Sequence, residues 1–171
     1  MKLTGLALAL FLVPAGATAQ DLLGTIEATV DGQARTWYLT AQDGESQSDF
    51  AQIMRGMNAV SLFGHPTDDS ITAVKGALLI DFSLITLGGT PSVADATLQY
   101  LEDGYGGGYL ATTDGATQVS LDAVEVKDDT LHIEGHFAAT AAYSDDIMRQ
   151  TTDDSRTITL NGSFRATVPG S

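Results

Sequence analysis

Alternation of apolar and polar residues constrains this chain more than any other feature. In residues 76–84, Leu78, Ile80, Phe82 and Leu84 interleave with Leu79, Asp81 and Ser83. A period of two sends one set to each face of a β-strand and is incompatible with a helical stripe. The opening of the domain repeats the pattern: Ile26, Ala28 and Val30 alternate with Thr25, Glu27 and Thr29, and Asp31-Gly32 follows. An Asp-Gly pair between alternating runs is a two-residue hairpin signal, because both positions tolerate positive φ. With residues 34–40 as the return strand, such a turn pairs Val30 with Gln33 and therefore Ile26 with Trp37. One apolar face then gathers Ile26, Ala28, Val30, Trp37 and Leu39, with Arg35 near its rim.

Further strands are expected at residues 59–63, 93–101, 109–112, 119–126, 131–140 and 157–168. The 93–101 stretch also fits a helix begun by Thr90-Pro91; the strand is preferred because strands flank it. Residues 41–48, 104–108 and 143–156 read as loops. One segment carries a helical signal: Phe50, Ile53, Met54 and Met57 fall at i, i+3, i+4 and i+7, with Asp49 as a cap and Gln52 three residues on. A short helix is expected there, at residues 49–57, although Gly56 weakens it. The expectation is an all-β domain, an antiparallel β-sandwich or β-barrel of about nine strands with one short helix.

That domain starts at residue 20. Lys2 precedes an apolar run over residues 3–13, Pro14 and Gly16 end it, and Ala17-Thr18-Ala19 supplies a small-x-small cleavage site. Residues 1–19 therefore read as a cleaved signal peptide, since the run is shorter than the ~20 residues of a membrane span. Residues 20–171 form a single antiparallel β domain with no membrane span, expected to be periplasmic or secreted. The chain has no cysteine, which excludes a disulfide scaffold, a thiolate metal site and a cysteine nucleophile. Its formal net charge is −14. A field of that sign repels phosphate backbones and argues against nucleic acid as a partner, while favouring cationic small molecules or basic protein surfaces.

An internal echo links two strands. Residues 131–140 (Leu-His-Ile-Glu-Gly-His-Phe-Ala-Ala-Thr) align with residues 158–167 (Ile-Thr-Leu-Asn-Gly-Ser-Phe-Arg-Ala-Thr). A glycine inside a strand marks a bulge, a bend or a close backbone approach, so the two are expected to curve together as neighbours.

Three pieces carry a resemblance: Ala-Thr-Val-Asp-Gly at residues 28–32 with Trp37, Asp-Asp-Thr-Leu-His-Ile-Glu-Gly-His-Phe at residues 128–137, and Leu-Asn-Gly-Ser-Phe at residues 160–164. In these the chain resembles a group of uncharacterised exported bacterial antiparallel-β proteins. The resemblance covers the two ends of the domain. It implies an antiparallel β architecture outside the cytoplasm and brings no catalytic residues with it.

Three constellations are candidates for chemistry. His132, Glu134 and His136 sit at i, i+2 and i+4 and share one strand face; imidazole and carboxylate suit zinc or copper. Neighbours in this trio lie ~7 Å apart along a strand, so a metal would need a bulge at Gly135 and a further ligand such as His65. The alternative is a solvated polar face. The pairs Asp145-Asp146 and Asp153-Asp154 offer oxygen ligands for calcium but match no EF-hand loop; acidic solubilising turns are the other reading. Tyr100, Tyr105 and Tyr109, among flexible glycines, could form an aromatic ligand platform or pack on the sheet. Gly-x-Ser-x-Gly, His-Glu-x-x-His and Ser-x-x-Lys are all absent, and residues 104–108 lack the Lys-Ser/Thr ending of a phosphate loop.

The sequence thus points to an exported, non-catalytic β protein binding a small ligand or a partner protein. It contains no organic cofactor motif. The alternatives are a metal-binding protein or metal-dependent hydrolase on the His132/Glu134/His136 face, with a divalent metal as cofactor, and a purely structural envelope protein.

Overall fold

The computed structural model describes residues 20–171; the signal peptide read at residues 1–19 lies outside the described residues. Eleven strands follow one another: β1 (Gln20–Val30), β2 (Gln33–Gln42), β3 (Glu45–Ser46), β4 (Asp49–Met54), β5 (Met57–Gly64), β6 (Ala77–Ile85), β7 (Ser92–Leu101), β8 (Gly108–Ala111), β9 (Thr117–Lys127), β10 (Thr130–Ser144) and β11 (Asp153–Pro169). All pair antiparallel in one sheet of order β3-β2-β1-β11-β10-β8-β7-β6-β5-β4, with β9 also on β10.

The sheet folds over so that its halves share one core. Phe82 on β6 meets Phe164 on β11 with ring centroids 6.2 Å apart, and Trp37 on β2 meets Tyr100 on β7 edge-on at 6.1 Å. Ile26, Leu39, Leu62, Ile80, Leu131 and Leu160 are fully buried between them. Trp37 is the anchor its register promised: it pairs with Ile26, is 1% exposed and donates its indole N–H to the Gly76 carbonyl at 2.7 Å. The sheet stops short of a closed barrel. An isolated bridge, in which Tyr38 and His65 exchange hydrogen bonds of 2.9 and 2.8 Å, links β2 to the residue after β5, and Ser171 N–H, just past β11, donates to the Phe50 carbonyl of β4 at 3.0 Å.

The expected helix at residues 49–57 is a β-hairpin. Met54 pairs with Met57 around Arg55-Gly56, where Gly56 has φ +76°. Phe50 turns into the core while Ile53 and Met54 are 55% and 58% exposed, so the helical spacing was coincidental. A nine-residue helix is marginal alone; the same residues paired to β5 satisfy their backbone in the sheet. This hairpin strand, and the two-residue β3 in a segment read as loop, raise the count from nine strands to eleven. Helical structure among the described residues is limited to two 3-10 turns, Gly104–Gly106 and Ile147–Arg149. The polar loop expected at 143–156 also contracts, because β10 continues to Ser144 and β11 begins at Asp153.

The echoed strands are neighbours, and their register explains the echo. Gly135 of β10 pairs with Phe164 of β11, and Phe137 of β10 pairs with Gly162 of β11. Each phenylalanine lies opposite the other strand's glycine. A Cβ at Gly135 would strike the Ser120 carbonyl and the Phe164 ring; one at Gly162 would strike the Glu27 carbonyl and Ala28. Both glycines therefore let a neighbouring strand approach, and at Gly135 the facing Phe164 ring takes up the missing volume.

Gly135→Ala is expected to cost about 1–3 kcal/mol in urea unfolding, the usual overpacking range. Gly106→Ala, where a Cβ meets nothing, should stay within about 0.5 kcal/mol. Equal effects at the two positions would refute the close-approach account.

Candidate functional site

The trio on β10 shares the solvent face, as alternation requires, but its members turn to three different partners. His132 Nδ1 lies 2.9 Å from the Thr167 hydroxyl. Glu134 pairs with Arg165, Nε to Oε1 at 2.8 Å. His136 Nε2 lies 3.0 Å from Asp122 Oδ2, with both side chains more than half exposed. His65 is far from solvent, buried with Nδ1 2.9 Å from the Ala73 carbonyl and its ring against Phe63. It fastens the 66–76 loop over the outer face of the sheet. No three His, Asp or Glu side chains among the described residues converge in a way that could hold a metal.

Asp122 is the member of this face that the sequence reading missed. The β9–β10 register shifts between Glu134 and Gly135 and leaves Asp122 unpaired; such a bulge re-aims a side chain. The signal that could have found it is Gly135 itself, a mid-strand glycine beside the polar trio. The result is a shallow polar depression bordered by Thr25, Glu27, Asp122, Glu134, His136 and Arg165. Ser163 faces His136 across the ladder, completing a Ser–His–Asp row, yet no hydrogen bond joins Ser163 to His136 among the described residues.

The four aspartates of the calcium reading serve separate turns. Asp146 caps the Ile147–Arg149 turn by accepting from Met148 N–H at 3.1 Å and pairs with Arg149 at 3.0 Å. Asp153 accepts from the hydroxyl and N–H of Ser155, which hold its carboxyl below the usual carboxylate range. Asp154 accepts from Thr152 at 3.3 Å, and Asp145 is exposed.

Of the three tyrosines, two come together. Tyr100 and Tyr109 are cross-strand partners, stacked at 6.4 Å, and Tyr143 meets Tyr109 edge-on at 5.4 Å. The Arg156 guanidinium lies 3.5 Å over the Tyr143 ring, and Arg35 lies 5.8 Å from that of Tyr100. Tyr100 is buried, which pushes its hydroxyl pKa up. Tyr105 stands apart, 51% exposed. The row is a packed ladder across β7, β8 and β10, and each added aromatic contact contributes about 0.5–1.5 kcal/mol.

The least expected feature is a split in the sheet. On the side away from β11, β10 outruns either neighbour: residues 130–139 pair with β9, whereas residues 142–144 pair with the short β8. β8 in turn reaches only residues 98–100 of β7. Residues 92–97 of β7 and the whole of β9 thus each have one unpaired edge, and they flank a cleft lined by Val93, Ala96, Thr97, Thr113, Gln118 and Val119. A bulge bends β7 here: its register with β6 shifts after Asp81, and Asp95 takes φ +51°.

No protein-family model, curated protein or solved structure matches the chain.

A second carboxylate is shifted the other way, upward, by its surroundings. Asp81 lies in a cross-strand row with Ser61 and Asp49. Burial raises its pKa, the Ser61 hydrogen bond lowers it, and the Asp49 charge raises it again, for a net rise above the ordinary 3.8. A carboxyl whose folded pKa is raised binds its proton more tightly in the native state, so its ionisation costs stability as pH climbs from 3.8 through the raised value. Asp81→Asn should remove that cost, giving a higher Tm than the parent at neutral pH and a smaller difference in acid. Thermal unfolding across pH tests this; a difference independent of pH would refute it.

Proposed function

We propose that this protein is an exported, non-catalytic binding domain that recognises another protein. The observation that carries the reading is the combination of a side-chain-filled core with a sheet left open along β9 and half of β7. Small-molecule sites are concave and bury most of their ligand. The depressions on this molecule are shallow, and the aromatic row that might have formed a platform is packed into the protein. Unpaired strand edges, by contrast, are templates for main-chain recognition. Export rests on the signal peptide read at residues 1–19, which delivers the domain to the periplasm or the exterior.

Charge specifies the class of partner. Lys2 is the one base of the signal, so the mature chain sets 22 acids against 7 bases. Such a field accelerates encounter with basic surfaces and makes binding sensitive to salt. The same open edge also supports a structural role in envelope assembly, which is protein recognition with a permanent partner.

Native mass spectrometry on protein exported by its own signal and purified without chelator tests the proposal. The expected species is the bare polypeptide starting at Gln20. A retained organic mass would replace protein recognition with ligand carriage. A metal mass lost in His132→Ala and His136→Ala would transfer the function to the polar face of β10, and a chain starting at Met1 would remove the export step.

A further inference from the structure

We infer that Gln20 is a site of covalent modification: once residues 1–19 are removed, its α-amine closes on its own side chain and the mature chain begins with a pyroglutamyl lactam. This rests on the export reading, because only cleavage after Ala19 gives Gln20 a free amine. Three observations converge on the residue. The first is its place. Gln20 follows the small-x-small segment Ala17-Thr18-Ala19 and is also the first residue of β1. A glutamine at a chain start carries nucleophile and electrophile in one residue, so closure to a five-membered ring gains from enforced proximity.

The second is the leaving group. Gln20 Nε2 is buried and finds no hydrogen-bond partner among the described residues. An amide nitrogen in that state bears its desolvation cost with no bond in return, and no acceptor holds it in place. Closure expels this nitrogen. The bond from the α-nitrogen to Cδ forms, the Cδ–Nε2 bond breaks, and Nε2 leaves as ammonia with a proton given up by the α-amine. No oxidant, reductant or second substrate is consumed. The third is fit. Gln20 pairs with Gln42, the last residue of β2. Nothing precedes Gln20 in the mature chain, so the ring fixes only the torsion about its N–Cα bond and leaves the strand from Cα onward as it is. The lactam keeps an N–H and a carbonyl for hydrogen bonding. What is lost is the buried –NH2 and the α-ammonium charge, so β1 starts with a neutral group.

The test uses the full chain exported by its own signal, read by intact mass and by tandem mass spectrometry of the N-terminal peptide. The expected product starts at residue 20, is lighter by one ammonia than the encoded chain, and gives no Edman sequence until pyroglutamyl aminopeptidase has removed its first residue. Gln20→Ala, which has no side-chain amide, should keep a free and sequenceable amine. The cyclised and free forms differ by one charge, so ion exchange separates any mixture and each form can be unfolded in urea. The cyclised form is expected to unfold at a midpoint equal to or above that of the free form, because it has shed the unpartnered amide. A lower midpoint would show that the lactam does not fit the head of β1 and would overturn the inference. A chain that starts at Gln20 and keeps its amine free through prolonged incubation overturns the modification and leaves export standing. A chain that starts at Met1, or at any residue other than Gln20, overturns the modification together with the cleavage on which it rests.

Discussion

The pairing of β10 with β11 is the constraint on which the remaining structure hangs. These are the two longest strands, 15 and 17 residues, and every other strand reaches the sheet through one of them. A flat ladder of that length could not fold its neighbours over a common core. The reciprocal placement of Gly135 opposite Phe164 and Gly162 opposite Phe137 removes side-chain bulk where adjacent strands crowd in, and the Phe164 ring fills the space at Gly135. Phe164 also reaches across to Phe82 on β6, so the residue that compensates for the missing bulk on one strand helps fasten the far half of the sheet. Strand curvature and core packing are here one interaction.

Legibility in the sequence followed from how local each interaction is. The β1–β2 hairpin could be read to the residue, because an Asp-Gly turn sets register without help from elsewhere: Ile26 does pair with Trp37 and Val30 with Gln33. The internal echo pointed to neighbouring strands, and β10 and β11 do pair. The helix expected at residues 49–57 failed because four apolar residues at helical spacing are also compatible with a hairpin, and only the tertiary partner β5 decides between them. Gly56, read as a flaw in a helix, was in fact the turn. The long polar loop expected at 143–156 was misjudged because strand ends rich in Thr, Ser and Asp look like loop wherever their apolar partners lie on other strands.

The candidate site divides along the same line. That His132, Glu134 and His136 share a face was visible, because alternation is a local rule. That they would diverge to Thr167, Arg165 and Asp122 was not, since those partners sit on β11 and β9 and one of them arrives only through a bulge. The cleft was invisible altogether. It depends on β10 being longer than β8 and on where β9 stops, which are facts about lengths of paired strands and not about any residue type.

An open edge of eleven residues is ordinarily an aggregation hazard, and this domain leaves one uncovered. The acidity of the chain resolves the difficulty in a way that also bears on function. Copies of the domain carry the same excess of acids, and β9 exposes Asp122 and Glu125. That acidity is selective, because a strand bearing Lys or Arg at the same positions is attracted. At equal backbone hydrogen bonding, like charges directly opposite across a ladder oppose pairing and opposite charges favour it by roughly 0.2–1 kcal/mol per pair. Under the protein-binding proposal, the acidity of the chain would act at this unpaired edge as a criterion for which chain is admitted.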